Sequence, residues 1–246
     1  MNARDIDRAT IATWPAAETA ERNGWFFLAA GGVTGRVNAC WPLDWRGGDP
    51  EAAITDAEAW YAARQLPARF KLTDGAFAPT NLPELLTLRG YEPVAPTLIM
   101  VADLGAAGAP HDGVTLSPSP PPAFDQALQD STPDADELAE RRSIANRLPQ
   151  PAAFAMREKD GRVLAVGASA IADKLAGVFL MRTMPLARRQ GHGLQILRAL
   201  LGWARTQGGA HAFLQVDAAN APAIALYRRE GFVELSTYRF WRKPPR

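Results

Sequence analysis

The stretch Met181–Leu201, MRTMPLARRQGHGLQILRALL, constrains this chain more than any other. It opens at the end of an apolar run, Val178-Phe179-Leu180-Met181, suited to a buried strand. A basic, glycine-spaced turn follows, Arg188-Arg189-Gln190-Gly191-His192-Gly193. Leu194, Leu197 and Leu201, with Ile196 and Leu200 beside them, then begin a helix whose broad apolar face calls for a sheet to pack on. A strand, a glycine turn and a helix in this order predict an α/β fold.

Such a junction favours an anion. The first turn of a helix leaves backbone N–H groups unpaired, and the helix dipole adds partial positive charge. Glycines at 191 and 193 let a phosphate approach the backbone, and Arg188 and Arg189 add charge-assisted donors. The dipole alone contributes only about 0.3–1 kcal/mol at an exposed site, so tight binding needs the amides and arginines together. Short glycine motifs are weak evidence, and spacing alone reads equally well as a solvated basic turn.

The 246 residues suit one large domain or two small ones, and the net charge of +1 argues against an extended nucleic-acid face. A single cysteine, Cys40, excludes an intrachain disulfide and fits a reducing cytosol. The first residues, MNARDIDRAT, are charged where a signal segment would be apolar, and no apolar run approaches the roughly 20 residues of a membrane span. The expectation is a soluble cytoplasmic protein, a monomer or homodimer, with no membrane and no nucleic-acid partner.

In chain order, the sequence predicts a helix over Asp5–Thr13, stopped by Trp14-Pro15, then strands over Trp25–Ala30 and Arg36–Trp41. A helix over Asp49–Gln65 has Asp49 as cap and Pro50 at its first position. A strand at Arg69–Leu72, a helix at Leu82–Leu88 and a strand at Thr97–Val101 complete this half. Residues 105–112, GAAGAPHD, read as a linker between domains 1–104 and 113–246. Beyond it come a strand at Val114–Leu116, the proline-rich loop Ser117–Pro122, a helix from Ala123 and another over Asp134–Arg147. A hairpin turns at Lys159-Asp160-Gly161. After the organising stretch, a strand at Ala212–Val216, a helix capped by Asn220 and ended by Gly231, and a strand at Tyr238–Trp241 close the chain.

The halves echo each other. Phe70-Lys71-Leu72, Leu85 to Tyr91 with its Arg-Gly-aromatic end, and Thr97 to Met100 parallel Phe213 to Val216, Leu226 to Phe232, and Tyr238 to Trp241. The chain therefore reads as a duplicated domain.

Pro185-x-x-Arg188-x-x-Gly191-x-Gly193-x-x-Ile196-Leu197, followed by Asn220-x-x-Ala223-x-x-Leu226-Tyr227-x-x-x-Gly231-Phe232, resembles the GCN5-related N-acetyltransferases (GNAT). The match covers about residues 175–241, and the N-terminal half resembles a degenerate copy without the phosphate loop. The resemblance implies a mixed sheet flanked by helices, an acyl-CoA N-acyltransferase fold. It also implies transfer from acetyl-CoA, with no metal, to the amine of a small molecule or peptide. By the same resemblance, Met181, Arg182 and Thr183 pair with the pantetheine arm, and Arg188, Arg189, Gln190, Gly191, His192, Gly193 and Leu194 hold the pyrophosphate. Asn220 stands near the reacting end, and Tyr227 is the general acid. His192 is assigned no catalytic role.

One position departs from the pattern. Where the branch acting on protein N-termini has a glutamate base, five positions before the asparagine, this chain has Gln215, which takes no proton at neutral pH. Asp217, Glu137, Glu140 and a water chain are the candidate replacements. Three other functions stay open at this point: a CoA-binding regulator without turnover, a partner- or nucleic-acid-binding patch of Arg188, Arg189, Arg228 and Arg229, and transfer of another acyl or aminoacyl group.

Overall fold

The structure, a computed structural model, describes residues 1–106 and 113–244. Most of the predicted linker thus lies outside the described residues. Its start, Leu104–Ala106, is a 3-10 turn.

Among the described residues, seven helices and twelve strands alternate. The first half comprises α1 (Ala3–Thr13), β1 (Glu18–Arg22), β2 (Trp25–Ala29), β3 (Cys40–Trp41), α2 (Pro50–Ala62), β4 (Arg69–Thr73), α3 (Leu82–Leu88), β5 (Glu92–Pro93) and β6 (Thr97–Asp103). The second comprises β7 (Val114–Ser117), α4 (Pro122–Ser131), α5 (Ala135–Arg147), β8 (Ala152–Lys159), β9 (Arg162–Ala172), β10 (Leu175–Thr183), α6 (His192–Thr206), β11 (His211–Asp217), α7 (Ala221–Arg229) and β12 (Val233–Arg242). No helix among the described residues is long and apolar enough to cross a membrane.

Local chemistry sets many of these boundaries. Asn2 and Asp5 form a capping box on α1, Asp49 accepts from Glu51 N ahead of Pro50, and Asp134 accepts from Glu137 N. The strand expected over Arg36–Trp41 is a correction: Gly35–Val37 is a 3-10 turn and only Cys40–Trp41 pairs. The cause is Asn38, whose buried amide accepts from Ala30 N and Gly32 N and donates to Thr34 O at 2.8, 2.9 and 2.9 Å. Those bonds fold the segment back on itself and draw it away from a ladder. The charged edge strand β1 has no apolar alternation and was not predicted.

All strands join one mixed sheet in the order β1-β2-β3-β4-β12-β6-β11-β10-β9-β8-β7, with β5 added to β12. The centre is an exchange. β12, the last strand of the chain, pairs with β4 of the first half, while β6 pairs with β11 of the second. β6 and β12 pair antiparallel with each other. The order β4-β12-β6-β11 is thus symmetric about its middle.

Alternation along the strands divides the core. Leu214 and Val216 of β11 pack with Ile196, Leu197 and Leu200 of α6 and Ile224 of α7. Phe213 packs on the other face with Ile6 of α1, Phe124 of α4 and Ile144 of α5. Each large apolar side chain buried this way contributes about 1.5–3 kcal/mol. Helix α1 lies across the centre of its face: Asp7 reaches Lys71 of β4 and Thr10 reaches Gln215 of β11.

Candidate functional site

The parallel strands β10 and β11 pair only at Leu175–Gly177 with His211–Phe213. Beyond that point they splay, and the edge of β10 that faces β11 runs on to Thr183 without a partner strand among the described residues. A bulge falls in this open part. The register of β10 against β9 shifts between Phe179 and Arg182, and Leu180 stands at φ 52°. One extra residue changes the alternation. Met181 and Thr183 face α6: the Met181 sulfur stands 2.6 Å from where a Cβ on Gly167 would be, and Thr183 Oγ1 3.1 Å from one on Gly193. Arg182 consequently falls on the face of α1 and α5.

The loop between β10 and α6 ends in two left-handed residues, Arg189 at φ 60° and Gly191 at φ 84°. Gly191 is the N-cap, and a Cβ on it would meet nothing within 4 Å. The N–H groups of Gln190, Gly191, His192, Gly193 and Leu194 have no acceptor among the described residues; the ladder starts with Gln195 N to Gly191 O at 3.1 Å. Arg188 and Arg189 have no carboxylate partner there either, and Arg188 Nε reaches only Thr183 O at 3.5 Å. Consecutive free donors with two guanidiniums at a helix start fit a diphosphate. The His192 ring is engaged with Gln195 at 3.1 Å.

Helix α7 forms the other wall. Asn220 accepts from Ala223 N at 3.3 Å as its cap. Tyr227 lies buried near Phe232, with ring centroids 5.9 Å apart, and its hydroxyl has no hydrogen-bond partner among the described residues. Burial pushes the Tyr227 phenol up from its ordinary value, and the charge of Arg182 pulls it back. Arg198 of α6 donates twice to Glu230, at 2.7 and 2.9 Å, and so ties α6 to the end of α7.

Comparison with known proteins decides what kind of site this is. The family described as "Probable histone acetyltransferase Rv0428c C-terminal" matches residues 1–241. The chain belongs to that family, within the GNAT N-acetyltransferases. It is similar to the N-acetyltransferase YobR of Bacillus subtilis, with 26% identity over 96% of this chain and 97% of that protein. It is also similar to the mycothiol acetyltransferase of Thermomonospora curvata, with 28% identity over 82% of this chain but only 63% of that protein. A GNAT from Kribbella flavida has the same fold, with a TM-score of 0.74, 20% identity and coverage of 100% of this chain and 97% of that one. The chain is therefore an acetyltransferase.

Around the splay of this GNAT the Met181–Thr183 edge, the start of α6 and helix α7 come together: Thr183 Oγ1 and Leu226 Cδ1 lie 3.1 and 3.8 Å from where a Cβ on Gly193 would be, and Tyr227 of α7 feels the charge of Arg182. The candidate bases separate. Gln215 donates to Thr10 Oγ1 at 2.9 Å, and its Oε1 is buried without a partner. Glu140 is held by Val33 N, Thr34 N and Asn38 Nδ2 at 3.3, 2.5 and 2.7 Å, which removes it as a candidate. Glu137 accepts from Arg141 Nε at 2.9 Å, and Asp217 from Ala219 N at 2.8 Å. No group of three or more His, Cys, Asp or Glu among the described residues could hold a metal ion.

Proposed function

We propose that this GNAT transfers the acetyl group of acetyl-CoA to a primary amine by direct attack. The observation that carries the reading is the open splay of β10 and β11, ended by the free amides of Gln190 to Leu194 and faced by Tyr227. In this reading those amides, with Arg188 and Arg189, bind the diphosphate. The unpaired edge at Met181–Thr183 pairs with the pantetheine amides, and Asn220 borders the reacting end.

The amine nitrogen forms its bond to the thioester carbonyl carbon as the carbon–sulfur bond breaks. Tyr227 gives its proton to the departing sulfur, and the proton that the nitrogen sheds on becoming an amide returns through water to the phenolate. Burial keeps the phenol protonated but makes it a weaker acid than a thiol near 8.5, so it donates as negative charge grows on the departing sulfur, and reprotonation of the phenolate completes the step. The acceptor ammonium must lose a proton first, which at pH 7 costs about 4–5 kcal/mol for a lysine-like amine. Gln215 cannot take that proton. Asp217 is exposed at the end of β11, which suits a relay to bulk water.

Residues 1–104 and 113–246 are, in this proposal, two versions of one unit, of which only the second keeps the phosphate loop. The first half carries α1 and the Arg36 turn onto the acceptor face and so shapes the pocket. The test is release of CoA from acetyl-CoA across a panel of amines. Turnover that falls sharply in Tyr227→Phe supports the proposal; a protein that binds CoA yet releases none with any amine would be a regulator instead.

A further inference from the structure

The sheet face opposite the α6 loop carries a charge imbalance that transfer to an amine does not by itself require. Arg182 emerges there beside the cleft. Arg36 is carried to the same place by its turn, which Glu140 of α5 grips through Val33 N, Thr34 N and Asn38 on either side of it. Arg141 follows Glu140 on the helix. The three guanidiniums feel one another: burial brings Arg182 down to about 10, with Arg141 and Arg36 pushing the same way and Glu137 opposing. Arg36 is likewise lowered, by burial first and also by Arg141, while Tyr238 opposes.

The carboxylate that faces Arg182 is Glu137, and Arg141 already holds it. Of the other charged groups nearby, Lys71 pairs with Asp7, Glu140 is turned to the amides of Val33, Thr34 and Asn38 and faces Arg69, and Asp217 accepts from Ala219 N. Arg36, Arg141, Arg182, Lys71 and Arg69 thus still outnumber Glu137, Glu140, Asp7 and Asp217. The Arg36 guanidinium lies over the Trp14 ring at 5.3 Å. That stacking fixes its plane and leaves its N–H donors without an acceptor among the described residues. The indole Nε1 of Trp14 is also buried and without an acceptor. Arg182 makes one bond, from Nη1 to the Met181 carbonyl at 3.0 Å.

A half-buried guanidinium with no counter-ion is an unfavourable arrangement unless an anion visits it. Arg36 stacks on Trp14, and Trp14 stacks at 4.8 Å on Phe179 of β10, the strand that carries Arg182, so both forked donors are held over one stretch of the sheet, an arrangement that suits a planar carboxylate. We infer that Arg36 and Arg182, backed by Arg141, bind a carboxylate carried by the acceptor, so that the substrate class is an amine bearing an anionic group. The identity of the bound group as acceptor rests on the acetyl-transfer reading; the anion site itself does not. A lysine-rich peptide would add positive charge to this cluster and is disfavoured.

The test is calorimetric titration without turnover. The probes are 5-aminopentanoate, pentane-1,5-diamine and a lysine-rich peptide, with CoA titrated separately as the check on folding. For the wild type, 5-aminopentanoate binds roughly tenfold tighter than the diamine or the peptide, as expected for a charge-assisted pair. Arg36→Gln weakens it about tenfold while CoA affinity stays put, and Arg36→Lys, which keeps the charge but not the fork, gives a loss between wild type and Arg36→Gln. If Arg36→Gln fails to fold, the wild-type preference among the three probes decides alone. Equal or tighter binding of the diamine or peptide overturns the inference, as does a folded Arg36→Gln that binds 5-aminopentanoate like the wild type. A protein that shows the carboxylate preference but releases no CoA sinks acetyl transfer and leaves the anion site standing.

Discussion

In the proposed reaction, Tyr227 is where the chemistry and the packing meet. Its ring is part of the core between α7 and the sheet, and its hydroxyl has no hydrogen-bond partner among the described residues. Positioned proton donors contribute about 10²–10⁴-fold, so Tyr227→Phe is expected to lower kcat by that range and to leave CoA affinity nearly unchanged. The phenol is raised by burial, so its proton is retained through neutral pH. A loss of kcat caused by Tyr227 ionisation should appear only above the ordinary phenol value of about 10. A Tyr227-dependent fall below pH 9 would contradict this, as would a Phe variant at full speed when chemistry limits the rate. The turn into α6 and the helix that carries Tyr227 were legible in the sequence because their signals are local: glycines at 191 and 193, a cap at Asn220, an aromatic in a fixed helix turn. The arginine cluster was not, since Arg36 and Arg141 meet Arg182 only through the docking of Glu140 on a distant turn.

At the scale of elements, α1 is tied to the sheet through Lys71 and Gln215, and one buried pair fixes it. Lys71 Nζ lies 2.6 Å from Asp7 Oδ1 and 2.6 Å from Thr73 Oγ1, with both charged side chains fully buried. The rings of Trp41 and Tyr238 stand 4.0 and 4.1 Å from the ammonium. Burial lowers the Lys71 ammonium and Asp7 opposes that shift. Lys71→Met strands a carboxylate whose Oδ2 already lacks a partner, and should cost about 3–5 kcal/mol in denaturant unfolding. Replacing Asp7 by Leu in the same chain should recover much of the loss. A single Lys71→Met within 1 kcal/mol of wild type would show that the pair does not hold α1. Neither partner announced itself in the sequence. Lys71 sits in an apolar strand and Asp7 on an amphipathic helix, positions where a charge ordinarily reads as solvent-facing. The β3 expectation failed for a related reason, because the buried amide of Asn38 overrode a strand-like composition.

For the whole molecule, the exchange of β6 and β12 makes the two halves inseparable. The echo between halves was visible in the sequence, but local patterns carry no information on which half each terminal strand joins. Removing residues 1–112 deletes β6 from between β11 and β12, strips β12 of β4 and uncovers the apolar face beneath α1. The fragment 113–246 is therefore expected to elute as aggregate in size-exclusion chromatography and to bind no CoA; a monomeric, CoA-binding fragment would contradict the account. The halves also differ where it matters most. Residues 45–49 lead into α2 through Gly47, Gly48 and the carboxylate cap Asp49, a negative charge where 188–193 offers arginines and free amides. The most direct measurement is calorimetric titration of the full chain with CoA, beside Gly191→Glu. The account predicts one site per wild-type chain and none in the variant, whose side chain brings bulk, negative charge and a strained φ of 84° to the diphosphate position. Two equivalent sites per chain, or unchanged binding by a folded Gly191→Glu, would contradict it.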